Sequence, residues 1–519
     1  MKTIQTMMKA ISALLLSTLA LSAYAVDDGQ QVDVSALDVV CWSADGLTPM
    51  TVTHDGKTFL CQLHRQKKAS EEEHEFTWLE VTTTRGGELA ELLGDKNTEI
   101  DSLVVNGSIN AADIKTLFHS SLYGYLAVIN LEGAVIENNE IPDNAFYDRD
   151  EQYVDDEKNG ETFYYIVLRR IILPEGVERI GKSAFYQARV LEDVQLPSSL
   201  REIGERAFMS SRIKMNPLVI PEGVETIAEG TFSFCSNLTG QVVLPSTVKE
   251  IQLGAFYNTP ITSINFPEGL EKIGETAFEF CRLKEVSIPN SCIDFGRADI
   301  GWNFAGNHEL EKVHLPDGMT EIPAGFLMNA FKLREVNIPN TVKHIGWRAF
   351  TLCTSLKRLE LPLGVQSLGD EAWEDLESLE CVVFPASMKS LGERSCADWN
   401  SIKEIYCAAT EPPVCDSKDG GSFVRYGITE GTQTPIVYIP TGTMDKYFDK
   451  NQNGAGWGGF WNFVEIDPSE FPVTAIGTPA ITESRADKAD DHVYDLQSRR
   501  VENPQKGHIY VSKGRKFVF

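Results

Sequence analysis

One motif recurs along most of the chain at a nearly constant spacing. A segment of the form L-x-x-V-x-I ends in proline, and a segment of the form V-x-x-I-G-x-x-A-F follows it. Ten prolines keep this register, 22 to 27 residues apart: Pro174, Pro197, Pro221, Pro245, Pro267, Pro289, Pro316, Pro339, Pro362 and Pro385. A fixed period in the twenties is typical of a solenoid, in which each coil buries its apolar side against neighbouring coils.

Each coil is expected to contain one short β-strand and one aromatic core residue. The apolar residues of L-x-x-V-x-I should face the core, while its third and fifth positions face outward. The aromatic residue of the second segment is expected to fill the coil, at Phe185, Phe208, Phe232, Phe256, Phe278, Phe326, Phe350 and Trp373. The longest gap contains Cys292–His308, which is expected to bulge out of one coil.

The first 25 residues have the composition of a secretory signal peptide. Lys2 and Lys9 precede the apolar run Ile11–Leu21, and the sequence A-Y-A places the cleavage between Ala25 and Val26. The run is too short to span a membrane, and no later segment reaches the roughly 18 apolar residues of a spanning helix. The sequence therefore predicts export to the cell surface or the medium, with periplasmic residence left open.

Composition divides the rest of the chain into six segments. Short β-branched and aromatic runs between turn signals predict N-terminal strands at Asp38–Trp42, Met50–Thr53, Thr58–His64 and Thr77–Thr83. The segments are residues 26–85 (N-terminal β domain), 86–165 (irregular first repeats with an acidic insertion), 166–411 (solenoid), 412–467 (C-terminal cap), 468–490 (polar linker) and 491–519 (C-terminal β tail).

The full frame is L-x-x-V-x-I-P-x-x-V-x-x-I-G-x-x-A-F, and a cap follows it with C-A-A-T-E-P-P from Cys407 and V-Y-I-P-T-G-T from Val437. Frame and cap resemble the BspA-like leucine-rich-repeat surface proteins of Bacteroidota over roughly residues 86–467. The resemblance implies a repeat solenoid of the leucine-rich-repeat type, extracellular binding of proteins or glycans, and no catalysis. The segment V-Y-D-L-Q-S-R-R-V from Val493 is similar to tails that serve sorting or surface attachment, with a plain terminal hairpin as the alternative.

Net charge and cysteine positions limit the partners and the chemistry. A formal charge of −28 argues against nucleic acid and anionic membranes as partners, and a monomer is expected. Two cysteine pairs are close enough in sequence for local disulfides: Cys41 with Cys61, and Cys407 with Cys415. Cys235, Cys281 and Cys353 share a repeat position where other coils carry small residues, so free core thiols are predicted there.

Two motifs suggest ligands that their context does not favour. The segment Gly176–Ser183 matches the P-loop pattern, but it aligns with P-E-G-L-E-K-I-G-E-T-A-F from Pro267, where Glu275 replaces the lysine. Both glycines are therefore interpreted as repeat turns. The acidic insertion Asp148–Glu161 could hold calcium weakly, but a solvated loop is favoured. No cofactor and no catalytic residue is predicted.

The outward strand positions remain as the candidate binding surface. They include Asp193, Gln195, Ser263, Asn265, Glu285, Ser287, Lys312, His314, Glu335, Asn337, Arg358, Glu360, Glu404 and Tyr406. The sequence favours a non-enzymatic cell-surface protein that binds extracellular proteins or glycans through this face. One alternative is a structural spacer that displays the N-terminal domain, and a remote one is a hydrolase carried by residues 33–84.

Overall fold

The computed structural model describes residues 24–27, 30–33, 50–54, 57–61, 76–156, 160–415, 421–423, 435–448, 457, 460, 462–472, 509–512 and 515–518. Side chains are described from residue 76 to 152 and, with the same gaps, from 164 to 472. The predicted strand Asp38–Trp42 and most of the predicted signal peptide lie outside this part. The chain forms two compact units, called unit one (Met1–Val224 with Gly230–Thr239) and unit two (Glu225–Glu229 with Gly240–Phe519).

Unit one contains two ladders of short parallel strands. The L-x-x-V-x-I segments form the face ladder, whose strands are Trp78–Thr83, Ser102–Ile109, Val128–Asn130, Arg170–Ile172 and Asp193–Gln195. Ala134–Ile136 pairs with the second half of Ser102–Ile109, and Leu218–Val219 is a further strand of this unit. The V-x-x-I segments form the turn ladder, with Glu140–Ile141, Arg179–Ile180 and Glu202–Ile203.

The strand expected at Thr77–Thr83 is present as Trp78–Thr83, but its partner differs from the expectation. It pairs in parallel with Ser102–Ile109, as the first strand of the face ladder. The predicted boundary at residue 85 therefore falls inside this ladder. The N-terminal strands Tyr24–Asp27, Gln30–Asp33, Met50–His54 and Lys57–Cys61 form a separate antiparallel sheet.

Unit one also contains helices and one hairpin. The helices are Leu89–Leu93, Ala111–Tyr123 and Arg149–Gln152, with 3-10 turns at Gly94–Thr98 and Glu137–Asn139. Asn110 caps the longest helix, since its side chain accepts from the Ala112 and Asp113 N–H groups while the Asp113 carboxylate accepts from the Asn110 N–H. The acidic insertion forms an antiparallel hairpin of Tyr153–Asp156 and Gly160–Phe163.

Unit two contains a face ladder and a turn ladder of its own. Its face strands are Gln241–Val243, Ser263–Asn265, Glu285–Ser287, Lys312–His314, Glu335–Asn337, Arg358–Glu360, Cys381–Phe384, Glu404–Cys407, Ile436–Pro440 and Asn462–Ile466. Its turn strands are Thr226–Ile227, Glu250–Ile251, Lys272–Ile273, Glu321–Ile322, His344–Ile345, Ser367–Leu368, Ser390–Leu391 and Val414–Cys415. A helix at Met444–Tyr447, a 3-10 turn at Pro468–Glu470 and an antiparallel pair, Ile509–Ser512 with Arg515–Val518, complete it. Within the described residues of the chain, no helix has the length and apolarity to cross a membrane.

The aromatic residues stack on one another inside each unit. In unit one, Phe185 lies 5.2 Å from Phe146 and 5.3 Å from Phe208 by ring centroids, with the rings nearly parallel. In unit two, Phe278 stacks on Phe304 at 5.3 Å. Phe304 thus occupies the core position of the coil that was expected to bulge.

One core assignment was wrong. The Phe304 N–H donates to the Phe326 carbonyl, and the Leu327 N–H donates to the Ala349 carbonyl. This register places Phe326 at the alanine position of the A-F pair and Leu327 at the aromatic position. Both side chains are fully buried, so the core of this coil remains filled. Its aromatic residue stands one position earlier than in the other coils.

A third set of backbone bonds connects the coils beside the aromatic core. The N–H groups of Ser183, Phe185 and Gln187 donate to the carbonyls of the next coil, two residues apart each time. Ser183 and Gln187 have positive φ values of 53° and 55°, and equivalent non-glycine residues recur in most coils. These bonds satisfy the backbone in a left-handed conformation that costs such residues free energy.

The glycine of the I-G pair is needed because a neighbouring coil leaves no room for a side chain. Its backbone angles do not require glycine. A Cβ on Gly274 would lie 2.7 Å from the Leu253 N and 2.8 Å from the Gln252 C of the preceding coil. The backbones of neighbouring coils therefore touch where a side chain would begin.

The substitution Gly274→Ala is expected to lower the free energy of unfolding by about 1–3 kcal/mol, because the added methyl group forces the two backbones apart. Gly269→Ala is the matched control, since its Cβ would meet nothing closer than 3.7 Å. Urea denaturation of the two variants compares them, and equal stability would show that the close approach is not tight.

Candidate functional site

The candidate face is flat and polar across the middle of unit two. Its strands pair in register, so Glu285, Lys312 and Glu335 form one row, and Ser287, His314 and Asn337 form the next. All except the half-buried Asn337 are exposed. Ser263 and Asn265 are exposed in unit two, and Asp193 and Gln195 are exposed in unit one. The structure therefore brings most of the predicted residues to the surface.

Several charged residues of this face are paired with one another. The Lys312 Nζ lies 2.6 Å from Glu335, and the Arg358 Nε lies 2.5 Å from Glu360. In unit one, Asp193 pairs with Arg170 at 3.1 Å. The carboxylate of Glu335 raises the pKa of Lys312 through its hydrogen bond and its charge. Exposed pairs contribute little to stability, but they reduce the net charge offered to a partner.

Two asparagines of the candidate face have a structural contact. The Asn265 side chain accepts from the Leu244 N–H at 2.9 Å and donates to the Leu244 carbonyl at 3.0 Å. Asn337 makes the same pair of bonds to Leu315, at 2.7 and 3.3 Å. Each amide satisfies the strand end of the preceding coil beside its proline. The recurring sequence N-[FI]-P could have revealed this role.

Tyr406 was expected on the exposed face, and this prediction was wrong. Its ring stacks on Tyr438 with centroids 4.4 Å apart, and Phe471 packs edge-on at 6.4 Å, so only 8% of Tyr406 is exposed. Burial raises its pKa. The chain after Ile466 makes the Pro468–Glu470 turn, in which the Asp467 side chain accepts from the Ser469 N–H. This turn places Phe471 on this end of the face.

The end of the candidate face that Phe471 covers is apolar, whereas the middle of the face is polar. Cys381 and Val383 occupy outward positions there, yet they are buried in one cluster with Tyr406 and Phe471. Arg358 contacts the Cys381 sulfur at 2.9 Å, and Glu404 is half-buried. The surface available to a partner in unit two therefore ends near Glu360.

The disulfide that the sequence allows between Cys407 and Cys415 is absent. Both are buried free thiols. Cys407 ends a face strand and lies 3.2 Å from the Tyr447 hydroxyl, whereas Cys415 belongs to a turn strand, so the two side chains serve different ladders. Cys41 and Cys61 lie outside the described side chains. Cys235, Cys281 and Cys353 are free and buried as predicted, and burial raises the pKa of Cys235 to about 12.

The P-loop match is occupied by repeat contacts. The Lys182 N–H donates to the Asp143 carboxylate at 2.8 Å, the Ser183 N–H donates to the Glu205 carbonyl, and the Lys182 ammonium pairs with Glu205. In a nucleotide site these same N–H groups and this ammonium would bind phosphate, so their repeat contacts argue against such a site. Among the described residues, no group of three or more metal-binding side chains could hold a metal ion.

Comparison with known proteins identifies the repeat. Residues 159–284 and 271–403 match the BspA type leucine rich repeat region, in six copies. None of the curated proteins matches the chain.

The solved structures that match the chain include the following three. A leucine-rich repeat protein from Bacteroides ovatus is 23% identical, over 49% of this chain and 85% of its own, with a TM-score of 0.34. A leucine rich cell surface protein from Faecalibacterium prausnitzii is 20% identical over 70% and 96% of the two chains, with a TM-score of 0.35. The pneumococcal vaccine antigen PcpA is 17% identical over 71% and 80%, with a TM-score of 0.36.

Proposed function

This chain is a BspA-type leucine-rich-repeat protein, and we propose that it is an exported, non-enzymatic binding protein of the cell surface. It holds an extracellular protein on the face ladder of unit two, with glycans as the second class of partner. The observation that carries the proposal is the exposed strip from Ser263 to Glu335, where strands present serine and histidine beside paired charges. The signal-like N-terminus supports export.

Neutral hydrogen-bonding groups define what this strip can recognise. Ser287 and His314 lie side by side on paired strands, both exposed. Lys312 and Glu335 neutralise each other, so this pair offers no net charge to a partner, and Glu285 is the remaining charge of the row. The strip therefore suits a partner with a flat polar surface and little net charge.

The paired variant Ser287→Arg with His314→Ala is expected to weaken partner binding at least tenfold, because a bulky charge replaces a small side chain in the middle of the strip. Residues 26–519 would be applied to an array of purified extracellular-matrix proteins and glycans, and the Kd of each hit compared. Ser401→Arg, at an exposed serine outside the face strands, is the control and should bind as the unmodified chain does. Unchanged binding of every protein hit by the paired variant, or no protein bound by the unmodified chain, would refute the proposal.

A structural spacer is the second candidate, favoured by the ion pairs along the face, which an ordinary solvated sheet also shows. Deleting whole coils from the middle of unit two separates the two functions, because a spacer keeps whatever binding resides elsewhere. Protease added to intact cells tests surface display independently. A hydrolase in residues 33–84 would show activity as an isolated fragment.

A further inference from the structure

Two tryptophans from different coils meet on the side of unit two that follows the turn ladder. Trp302 and Trp347 have ring centroids 6.5 Å apart and an interplanar angle of 37°. The coil between them carries Gly325, with φ of +61°, at the position that Trp302 and Arg348 occupy in their own coils. A Cβ there would lie 2.1 Å from the Trp302 Cδ1, so the indole of Trp302 lies across the space that this glycine leaves open.

A charged pair fixes the far edge of this aromatic site. The Arg348 guanidinium lies 4.7 Å from the centroid of the Trp347 ring, as in a cation–π contact. The carboxylate of Glu371 accepts from the Arg348 Nε at 2.6 Å and from its Nη2 at 2.5 Å. The positive and negative groups thus cancel within the site, and both are held in place before any ligand arrives.

The two rings expose apolar surface, and one of them carries a buried donor without a partner. Trp347 is 38% exposed, whereas Trp302 is half-buried. Within the described residues, the Trp302 indole N–H has no acceptor, although the nitrogen is buried. A buried donor without an acceptor is unfavourable, so the chain gains from a turn of the Trp302 ring that brings this N–H to a ligand hydroxyl.

We propose that Trp302, Trp347 and the Arg348–Glu371 pair form a binding site for a neutral saccharide. The size of the site argues for a small ligand, because two indoles supply at most about 500 Å² of contact, whereas a stable protein interface buries roughly 1,200–2,000 Å². The balanced charges argue for a neutral one. A sugar ring offers an apolar C–H face to an indole, and its hydroxyls can donate to Glu371 and accept from Arg348.

This site is separate from the strip of the proposed function, and it can exist without that function. Trp347 follows the turn strand His344–Ile345, whereas the strip consists of face strands. A saccharide site here and a protein site on the strip therefore make independent predictions.

The test titrates residues 26–519 with cellohexaose, maltohexaose and chitohexaose, monitored by tryptophan fluorescence and calorimetry. At least one neutral hexasaccharide is expected to bind, and Trp347→Ala is expected to weaken that binding at least tenfold, while Trp347→Phe retains part of it. Trp78→Ala is the matched control, because Trp78 is 61% exposed in unit one and should not alter the affinity. The paired strip variant Ser287→Arg with His314→Ala should also leave saccharide binding unchanged.

Three outcomes would overturn the proposal. The first is that none of the three hexasaccharides binds to a chain whose circular dichroism shows it to be folded. The second is that Trp78→Ala weakens binding as much as Trp347→Ala does. The third is that a proline-rich peptide or heparin binds at Trp347 while the neutral saccharides do not, since these would indicate a peptide groove or an anion site.

Discussion

Replacing Phe278 with alanine is expected to lower the free energy of unfolding by roughly 3–5 kcal/mol. The ring is fully buried between Phe256, at 5.4 Å, and Phe304, at 5.3 Å, and Phe266 packs edge-on at 5.5 Å. The cavity cannot close easily, because the Phe278 N–H donates to the Asn303 carbonyl and the Phe256 N–H donates to the Ala277 carbonyl. These bonds keep the coils at their spacing while the contacts of the ring are lost.

Phe280→Ala provides the matched control for Phe278→Ala. Phe280 is two residues away, 40% exposed, and packs edge-on against Tyr257 at 5.9 Å. Its removal is expected to cost no more than about 1 kcal/mol. Urea denaturation followed by circular dichroism compares both variants with the unmodified chain. Similar losses for the two would mean that the stacked column does not carry the core of this unit.

The sequence predicts the coils well because the same apolar, proline and glycine positions recur in each coil and determine its local structure. The positions of strand, proline and I-G pair recur at fixed offsets, and parallel strands form where the pattern places them. The single misplaced core residue has a local cause. Leu327 stands eleven residues after Pro316, as Phe350 does after Pro339. The predicted core residue was its neighbour Phe326, because the other coils carry an aromatic residue at this position.

The candidate face is less predictable, because its limits depend on contacts that no repeat encodes. Phe471 covers Tyr406 from beyond the last strand, and nothing in the motif around Tyr406 indicates this. The pairing of Lys312 with Glu335 could be inferred from the register, since the two residues are 23 apart on neighbouring strands. The meeting of Trp302 and Trp347 could not, because it depends on an intervening glycine and on a coil of unusual length.

Glu279→Gln is expected to stabilise the protein at neutral and alkaline pH and to have no effect in acid. Only 3% of Glu279 is exposed, and burial raises its pKa from 4.5 to about 8. The pKa of the neighbouring Tyr257 is raised to about 12. Burial of Tyr257 is the main cause, and the negative charge of Glu279 is the second. Glu374, at the same position of a later coil, is bound by Arg394 at 2.8 Å, whereas Glu279 has no cation partner among the described residues.

The pH window follows from the sign of this shift. Below pH 4.5 the carboxyl group is protonated in the folded and the unfolded chain, so it does not affect stability. Between pH 4.5 and about 8 the unfolded chain releases the proton while the folded chain keeps it, and stability falls. Above pH 8 both states are ionised, and the loss stays constant at on the order of 3–5 kcal/mol.

The difference in the free energy of unfolding between Glu279→Gln and the unmodified chain, measured at several pH values, therefore reports the contribution of this one carboxyl group. Denaturation curves at pH 4, 6, 7 and 8.5 should show a difference that begins near zero and grows with pH. Glu271→Gln removes the same charge from an exposed position of this coil and is expected to change stability by less than about 0.5 kcal/mol at every pH. A difference that does not vary with pH would mean that the folded coil accommodates the ionised carboxylate. Glu279 would then be solvated or paired in solution, and its burial between Phe278 and Phe280 would not set its protonation state.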